Sequence, residues 1–346
     1  MVQLGQHPAP SHTVVHLSDT HLLDGGVQLY GRVDSTVRLI SALERLEHSG
    51  IQPDAIVVTG DLVDLGEAAA YRRLRSLVEP VAARLGAEIV WCMGNHDERA
   101  PYARELFDEP EHTGDGSHGI APQDRVVDVH GLRIIALDTT VPGYHHGALD
   151  PEQLDWLRAR LAEPAEHGTL LALHHPPMPS PLTEAMAILE LDDQDALATV
   201  LVGTDVRGIL AGHLHYSAHS TLAGIPVSVA SASCYTLALG VPDRILAGVD
   251  RHQAFDVLHV YPDRVVHTTV PVDTAELVSG HPAEALERIA AIPPELRREL
   301  FSRKDSAFQA AALLADPVAT ATVAEAAVAA ALTEAATRAS HPEDRG

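Results

Sequence analysis

Val14-Val15-His16-Leu17-Ser18-Asp19-Thr20-His21 is a short, mostly apolar run that ends in two metal-binding side chains at alternate positions. Its length and β-branched content are those of a buried strand. Asp19 and His21, one residue apart, present two donors at its carboxyl end. Four later segments repeat the design: AIVVTGDLVD at 55–64, IVWCMGNHD at 89–97, LLALHHPP at 170–177 and GILAGHLH at 208–215. Each is an apolar run followed by Asp, Asn or His: Asp61 and Asp64, then Asn95, His96 and Asp97, then His174 and His175, then His213 and His215. A single histidine in an apolar run is ordinarily a packed core residue, and a single Gly-Asp is ordinarily a turn. Five such endings in succession have no such explanation. In open α/β sheets, ligands lie beyond the carboxyl ends of the strands. If these strands share one sheet system, all five endings converge on one pocket. Gly60, Gly94 and Gly212, just ahead of the donors, suit sharp turns or close backbone approach.

The rest of the chain follows the alternation of an α/β protein with layered α, β and α. Leu132–Leu137 and Val206–Leu210 read as further strand positions, and Val227–Ala230, Phe255–Tyr261 and Arg264–Val270 as a later strand group. His130-Gly131 and Pro262-Asp263 read as the turns of two hairpins. Helices are expected over Ser35–His48, Glu67–Leu85, from Asp150-Pro151, and over Asp193–Val202. Gly50 and Gly86 stop the first two, and Pro151 takes a first helical position, where its missing N–H costs nothing. Residues 108–123 read as a surface loop. Residues 1–12 form a tail and 13–273 the main domain, and 274–346 form an Ala- and Glu-rich helical extension without a motif.

Composition narrows the function. The formal net charge is −24, and a nucleic-acid polymer as partner would need basic stripes instead. A phosphorylated small molecule stays admissible, because bound cations are often the largest charges in a site. Cys92 and Cys234 lie in apolar stretches and read as core packing. With no leader pattern and no apolar run of membrane-spanning length, the expected compartment is the cytoplasm, with no transmembrane segment.

Carboxylate, amide and imidazole together suit Fe, Mn or Zn, whereas thiolate clusters and all-oxygen Mg or Ca cages use other donors. Two metals a few ångström apart need a bridging carboxylate. The donors divide accordingly, with Asp19, His21, Asp61 and His215 around one metal and Asp61, Asn95, His174 and His213 around the other. Asp61 is the bridge. A hydroxide shared by both metals, its pKa lowered by them, is the natural nucleophile.

At these residues the sequence resembles the calcineurin-like metallophosphoesterase superfamily. DTHL, GNHDER, LDTTVPGYHHG, LALHHPPMPS, AGHLHYS and IPVSVASASCYT further resemble its bacterial class III cyclic-nucleotide phosphodiesterases of the actinobacterial type, over about Thr13 to Val270. The resemblance implies a four-layer α-β-β-α sandwich, two mixed sheets flanked by helices, with the helical C-terminal extension outside it. It implies a homodimer with an Fe/Mn-type centre that hydrolyses 3′,5′-cyclic AMP and, less selectively, other phosphodiesters, cyclic GMP among them. His96 is implied as the catalytic group near the scissile phosphate, oriented by a hydrogen bond from Asp64. Asn95, His96, His145, His146 and His215 are the implied substrate contacts, although 144–146 also read as ordinary loop residues. GDLVDLG and GNHD stand where protein Ser/Thr phosphatases have GDxVDRG and GNHE.

Several points stay open on sequence. His175 is either a support behind a ligand or an ordinary neighbour, His16 reads as a core histidine, and Arg99 is either a phosphate contact or a surface ion-pair partner. The alternatives for function are 2′,3′-cyclic nucleotides, nucleotide pyrophosphates or glycerophosphodiesters as substrates, and a non-catalytic scaffold on the same fold.

Overall fold

The computed structural model describes residues 3–109, 121–241, 243–273, 284–304 and Thr333. The described residues fall into two compact units, one spanning Pro10–Asp273 and the other joining residues 3–9 to those beyond 283.

In the larger unit β1 (His12–Leu17), β2 (Ala55–Thr59) and β3 (Glu88–Cys92) run parallel, linked by α1 (Ser35–His48) and α2 (Ala68–Leu85) and followed by α3 (Arg99–Phe107). β4 (Arg125–Val129) and β5 (Leu132–Ala136) form a hairpin, whose His130-Gly131 turn has positive φ at both residues. α4 (Pro151–Arg160), β6 (Thr169–Ala172), α5 (Gln194–Leu201) and β7 (Val206–Ala211) continue the parallel run. β8 (Ala218–Leu222) and β9 (Ile225–Val229) pair antiparallel, as do the short β10 (Thr236–Leu237) and β11 (Gly248–Val249). β12 (Ala254–Val260) and β13 (Val265–Pro271) close the unit as a hairpin.

These strands build two large sheets, β13-β12-β1-β2-β3 and β4-β5-β6-β7-β9-β8. Val14, Val57, Val90 and Leu258 of the first interdigitate with Ile134, Leu170, Ala172 and Leu210 of the second. The outer face of the first packs on α1, α2 and α3 through Leu39, Leu43, Tyr71, Leu74 and Tyr102. The outer face of the second packs on α4 and α5 through Leu157, Leu161, Leu197 and Leu201. The result is the four-layer α-β-β-α sandwich. Burial on both faces explains why β2 and β6 read as unbroken apolar runs, without alternation.

Local chemistry sets the helix ends. Asp34 caps α1 by accepting from Val37 N, and Gly86 ends α2 at φ 72°. Asp150 and Gln153 form a reciprocal capping box ahead of Pro151. α3 was not expected from the sequence. Pro101 occupies the third helical position, where the backbone N–H has no intrahelical partner to lose.

The smaller unit contains α6 (Glu284–Ala291) and α7 (Pro294–Ser302). Arg297 donates to the carbonyls of Ala290, Ile292 and Gln3. The helix expected over 307–337, Thr333 excepted, and most of the loop expected over 108–123 lie outside the described residues. Among the described residues no helix is long and apolar enough to cross a membrane. Cys92 and Cys234 are both buried thiols.

Candidate metal centre

The donor strands do not share one sheet. β1, β2 and β3 belong to the first sheet, and β6 and β7 to the second. Their carboxyl ends meet where the two sheets abut, and all seven expected donors gather there. Asp19, His21, Asp61, His174, His213 and His215 are buried.

The backbone makes this convergence possible in an unusual way. Asp19, His21, Asp61, His213 and His215 all have left-handed φ, at 53°, 42°, 47°, 71° and 56°. Residues other than glycine rarely adopt that conformation, which costs on the order of 1 kcal/mol each, and such strain persists where the surroundings enforce it. Here the enforcing bonds are Asp19 N to Gly60 O at 3.1 Å, His21 N to Asp61 O at 2.8 Å and Cys234 N to Asp19 O at 3.2 Å. Close approach does the rest. A Cβ on Gly94 would collide with Asp61, and one on Gly212 with Ser18 and Asp19.

One oxygen of Asp61 lies 3.3 Å from His21 Nε2 and 3.3 Å from His174 Nε2. His215 Nε2 lies 3.4 Å from the Asp19 carboxylate and 3.2 Å from His21 Nε2. Asp19, His21, Asp61 and His215 offer donor atoms that all lie within 4.8 Å of one another, a group able to hold a metal ion. On the other side of Asp61, Asn95 Oδ1 is 3.1 Å from His174 Nε2, and the His174 and His213 rings are 5.1 Å apart.

The outward nitrogens show that the donor set fits divalent metals. A metal-binding imidazole donates its second ring N–H to a carboxylate or carbonyl. His21 Nδ1 donates to Asp64 Oδ1 at 2.9 Å, His174 Nδ1 to the Thr59 carbonyl at 2.7 Å and His215 Nδ1 to the Tyr235 carbonyl at 2.9 Å. His213 uses the opposite edge, donating Nε2 to the Leu189 carbonyl at 3.0 Å. Each ring therefore has one nitrogen fixed and one directed inward. Without a cation, burial opposes a proton on His174, but the Asp61 carboxylate prevails and holds it up to about 9. His21 is likewise raised well above its usual value, with Cys234 and Asp61 prevailing over burial. Burial, reinforced by His174, pushes His213 down to about 3, and burial also lowers His215.

A cavity of about 310 Å³ opens over these groups, and Asn95, His96 and His145 line it. His96 donates Nδ1–H to the Asp64 carbonyl at 2.9 Å, and its backbone N–H donates to Asp61 Oδ1 at 2.8 Å. The Asp64 carboxylate, expected to orient His96, is 3.4 Å from that ring and closer to His21. Asp64 thus holds His96 mainly through its backbone. His145 Nδ1 accepts from the Asn95 amide at 2.8 Å.

His146 departs from expectation. It is not among the residues lining the cavity, and its Nε2 lies 3.8 Å from Asp192. His175 donates Nε2–H to the His145 carbonyl at 3.2 Å and accepts the Thr139 hydroxyl at Nδ1, so it supports the His145 loop. Arg99 is not among the residues lining the cavity. Its Nε donates to the fully buried Asp138 carboxylate at 2.9 Å. His16 is a core histidine, bonded to Thr59 Oγ1 at 2.8 Å. Sequence reading missed Tyr235 in the cavity wall, and it placed Asp97 in the GNHD cluster without a role; its carboxylate braces that turn through Leu62 N, Gly94 N and the Tyr71 hydroxyl.

The chain has counterparts among known proteins. A crystal structure of a dimetal phosphatase from Danio rerio superposes with a TM-score of 0.52 at 17% identity, covering 76% of this chain and 97% of that one, a likeness of fold. The chain is 53% identical over 306 residues, 87% of its length and 94% of the relative's, to the cAMP/cGMP dual specificity phosphodiesterase of Mycobacterium tuberculosis (strain CDC 1551 / Oshkosh). It is 48% identical over 288 residues, 83% of its length and 92% of the relative's, to a probable cyclic nucleotide phosphodiesterase of Rhodococcus erythropolis. The family described as calcineurin-like phosphoesterase matches residues 12–217, which contain every donor above. The chain belongs to the calcineurin-like phosphoesterases and is a metallophosphoesterase, a hydrolase.

Proposed function

We propose that this metallophosphoesterase hydrolyses 3′,5′-cyclic nucleotides, cyclic AMP and cyclic GMP, to 5′-nucleotides. The observation that carries the chemistry is the single Asp61 oxygen, equidistant at 3.3 Å from the inward nitrogens of His21 and His174. That is where a bridging ligand belongs. The choice of substrate is supported by 53% identity to a relative whose name states that activity.

Asp19, His21, Asp61 and His215 would hold one divalent ion, and Asp61, Asn95, His174 and His213 the other. The mixed donors favour iron and manganese, with zinc as the alternative. When bound, two such ions supply charge neutralisation at the phosphate and activation of water. The protein's own groups act around them. Because His145 Nδ1 accepts from Asn95, its proton sits on Nε2 as a donor for a phosphoryl oxygen. Because His96 Nδ1 is taken by Asp64, its Nε2 is left for the substrate. The water oxygen bonds to phosphorus as it gives up one proton to solvent, the P–O3′ bond breaks, and His96, with a proton on each ring nitrogen, gives its Nε2 proton to O3′.

A homodimer is part of the reading, supported by exposed apolar side chains at Leu182, Ile188 and Ile245. Sedimentation should give a dimer, and a monomer would remove that element alone. A cytoplasmic location fits a nucleotide substrate and two buried free thiols.

The test compares turnover of 3′,5′-cyclic AMP and GMP with that of a 2′,3′-cyclic nucleotide, a nucleotide pyrophosphate and a glycerophosphodiester. The 3′,5′-cyclic substrates should have the highest kcat/KM. A clear preference for a linear pyrophosphate or glycerophosphodiester would overturn the substrate and leave the metal chemistry intact.

A further inference from the structure

The cavity over the centre has two unlike sides. Its floor is imidazole, carboxylate and amide, whereas its wall is Tyr30, Met186, Leu189, Tyr235, Leu237 and Leu246. Tyr30, Tyr235 and Leu246 also line an adjoining hollow of about 670 Å³. Neither ligation nor proton transfer needs such a wall. A substrate that is anionic at one end and flat and apolar at the other does.

The two tyrosines are fixed differently. Tyr235 packs its ring 4.5 Å from that of His215 and is bound into the centre. Tyr30 stands edge-on to it, with ring centroids 5.6 Å apart, and is 71% exposed. An exposed aromatic on a loop is ordinarily adventitious, but this one is built into place. Leu29 and Val33 form a two-way backbone bridge at 2.8 and 3.0 Å and are buried against Ala232 and Cys234. Arg32 N donates to Leu29 O at 3.1 Å, so Tyr30 and Gly31 are the central residues of the turn, with φ 53° and 65°. Turns of that hand ordinarily carry Asn-Gly. A bulky aromatic holds the position where Asn would be less strained, and its ring faces the cavity.

We propose that Tyr30, backed by Tyr235 and Leu246, is the seat of the nucleotide base and sets the preference for nucleoside phosphates over phosphate esters without a flat base. This rests on the cyclic-nucleotide reading above. Stacking of a base on an aromatic ring is sequence-tolerant, because every base has a π-face. The seat therefore predicts turnover of cyclic AMP and cyclic GMP alike.

The test uses the full, metal-loaded chain and two probes that share a phosphate, AMP and ribose 5-phosphate, titrated by calorimetry. Wild type should bind AMP about tenfold more tightly than ribose 5-phosphate. Tyr30→Asn, the residue this turn prefers, should bring AMP to within about twofold of ribose 5-phosphate, leave ribose 5-phosphate binding unchanged, and keep or raise the thermal midpoint. Tyr30→Phe should retain the preference for AMP. If Tyr30→Asn keeps the full preference, or weakens both probes equally, the seat is elsewhere and the proposal falls. Turnover separates the two levels of the reading. Wild type active on cyclic AMP with an unchanged KM in Tyr30→Asn overturns only the seat. Wild type inactive on every 3′,5′-cyclic nucleotide overturns the proposed function, and the seat with it.

Discussion

His96 and the pair flanking Asp61 make opposite demands on their protons. His96 has Nδ1 tied to the Asp64 carbonyl at 2.9 Å, so its value lies in the proton it delivers from the other edge. His96→Ala should therefore keep its metal content while kcat on cyclic AMP falls roughly 10²- to 10³-fold. The loss should be much smaller on bis(4-nitrophenyl) phosphate, whose leaving group departs without a proton. Equal losses on both substrates would remove the leaving-group role. His21 and His174, by contrast, must lose protons to bind metal. In the cation-free protein the Asp61 carboxylate, prevailing over burial, holds His174 up to about 9 and raises His21. Both are then protonated near neutrality, and loading metal must displace those protons. Affinity should fall as pH falls below about 9, and calorimetry near pH 7.5 in two buffers of different ionisation enthalpy should show net proton release. Loading without proton release would mean that these imidazoles are not the ligands.

The tie between α3 and the segment after β5 illustrates how a helix and a loop are fastened to the site. Arg99, the first residue of α3, donates to Asp138 Oδ2 at 2.9 Å and to the Thr140 carbonyl at 3.0 Å. Asp138 also accepts from Gln123 N, Thr140 N and the Thr140 hydroxyl. The loop that follows carries His145 into the cavity. Arg99→Met would leave a buried carboxylate without its cation, a change that costs about 3–5 kcal/mol. Thermal unfolding should show that loss, and the double variant Arg99→Met/Asp138→Asn should recover part of it. A loss below about 1 kcal/mol would show the pair to be dispensable. The sequence disclosed α1, α2, α4 and α5 through caps and stop signals, all of which act within a few residues. It did not disclose α3, a nine-residue helix with neither a side-chain cap nor a glycine stop, and it concealed this ion pair because its partners are 39 residues apart.

The Pro10–Asp273 unit contains all three large clusters of its sandwich, one between the sheets and one on each outer face. Every proposed ligand lies inside it. A chain ending at Asp273 should therefore fold cooperatively and keep kcat on cyclic AMP within about twofold, as measured by thermal unfolding and turnover. Loss of the folded state would mean that residues 274–346 are required for stability. The same sandwich explains why the centre needs two sheets. His213 lies 194 residues from its Asp19 contact, and His215 meets the same carboxylate from two residues further on; only the abutment of the sheet ends brings them together.

The amino-acid sequence alone determined which side chains are candidate donors, that each follows a strand, and that carboxylate, amide and imidazole together suit divalent metals. Those are properties of short segments, where strand propensity and donor chemistry are written side by side. Tertiary structure decided the rest. It drew the five strands from two sheets and imposed left-handed φ on Asp19, His21, Asp61, His213 and His215. It gave the Asp64 carboxylate to His21, turned His146 toward Asp192 and brought Tyr30 against Tyr235. These outcomes depend on which distant backbone carbonyl or carboxylate meets each ring once the sheets have packed, and no local pattern carries that information.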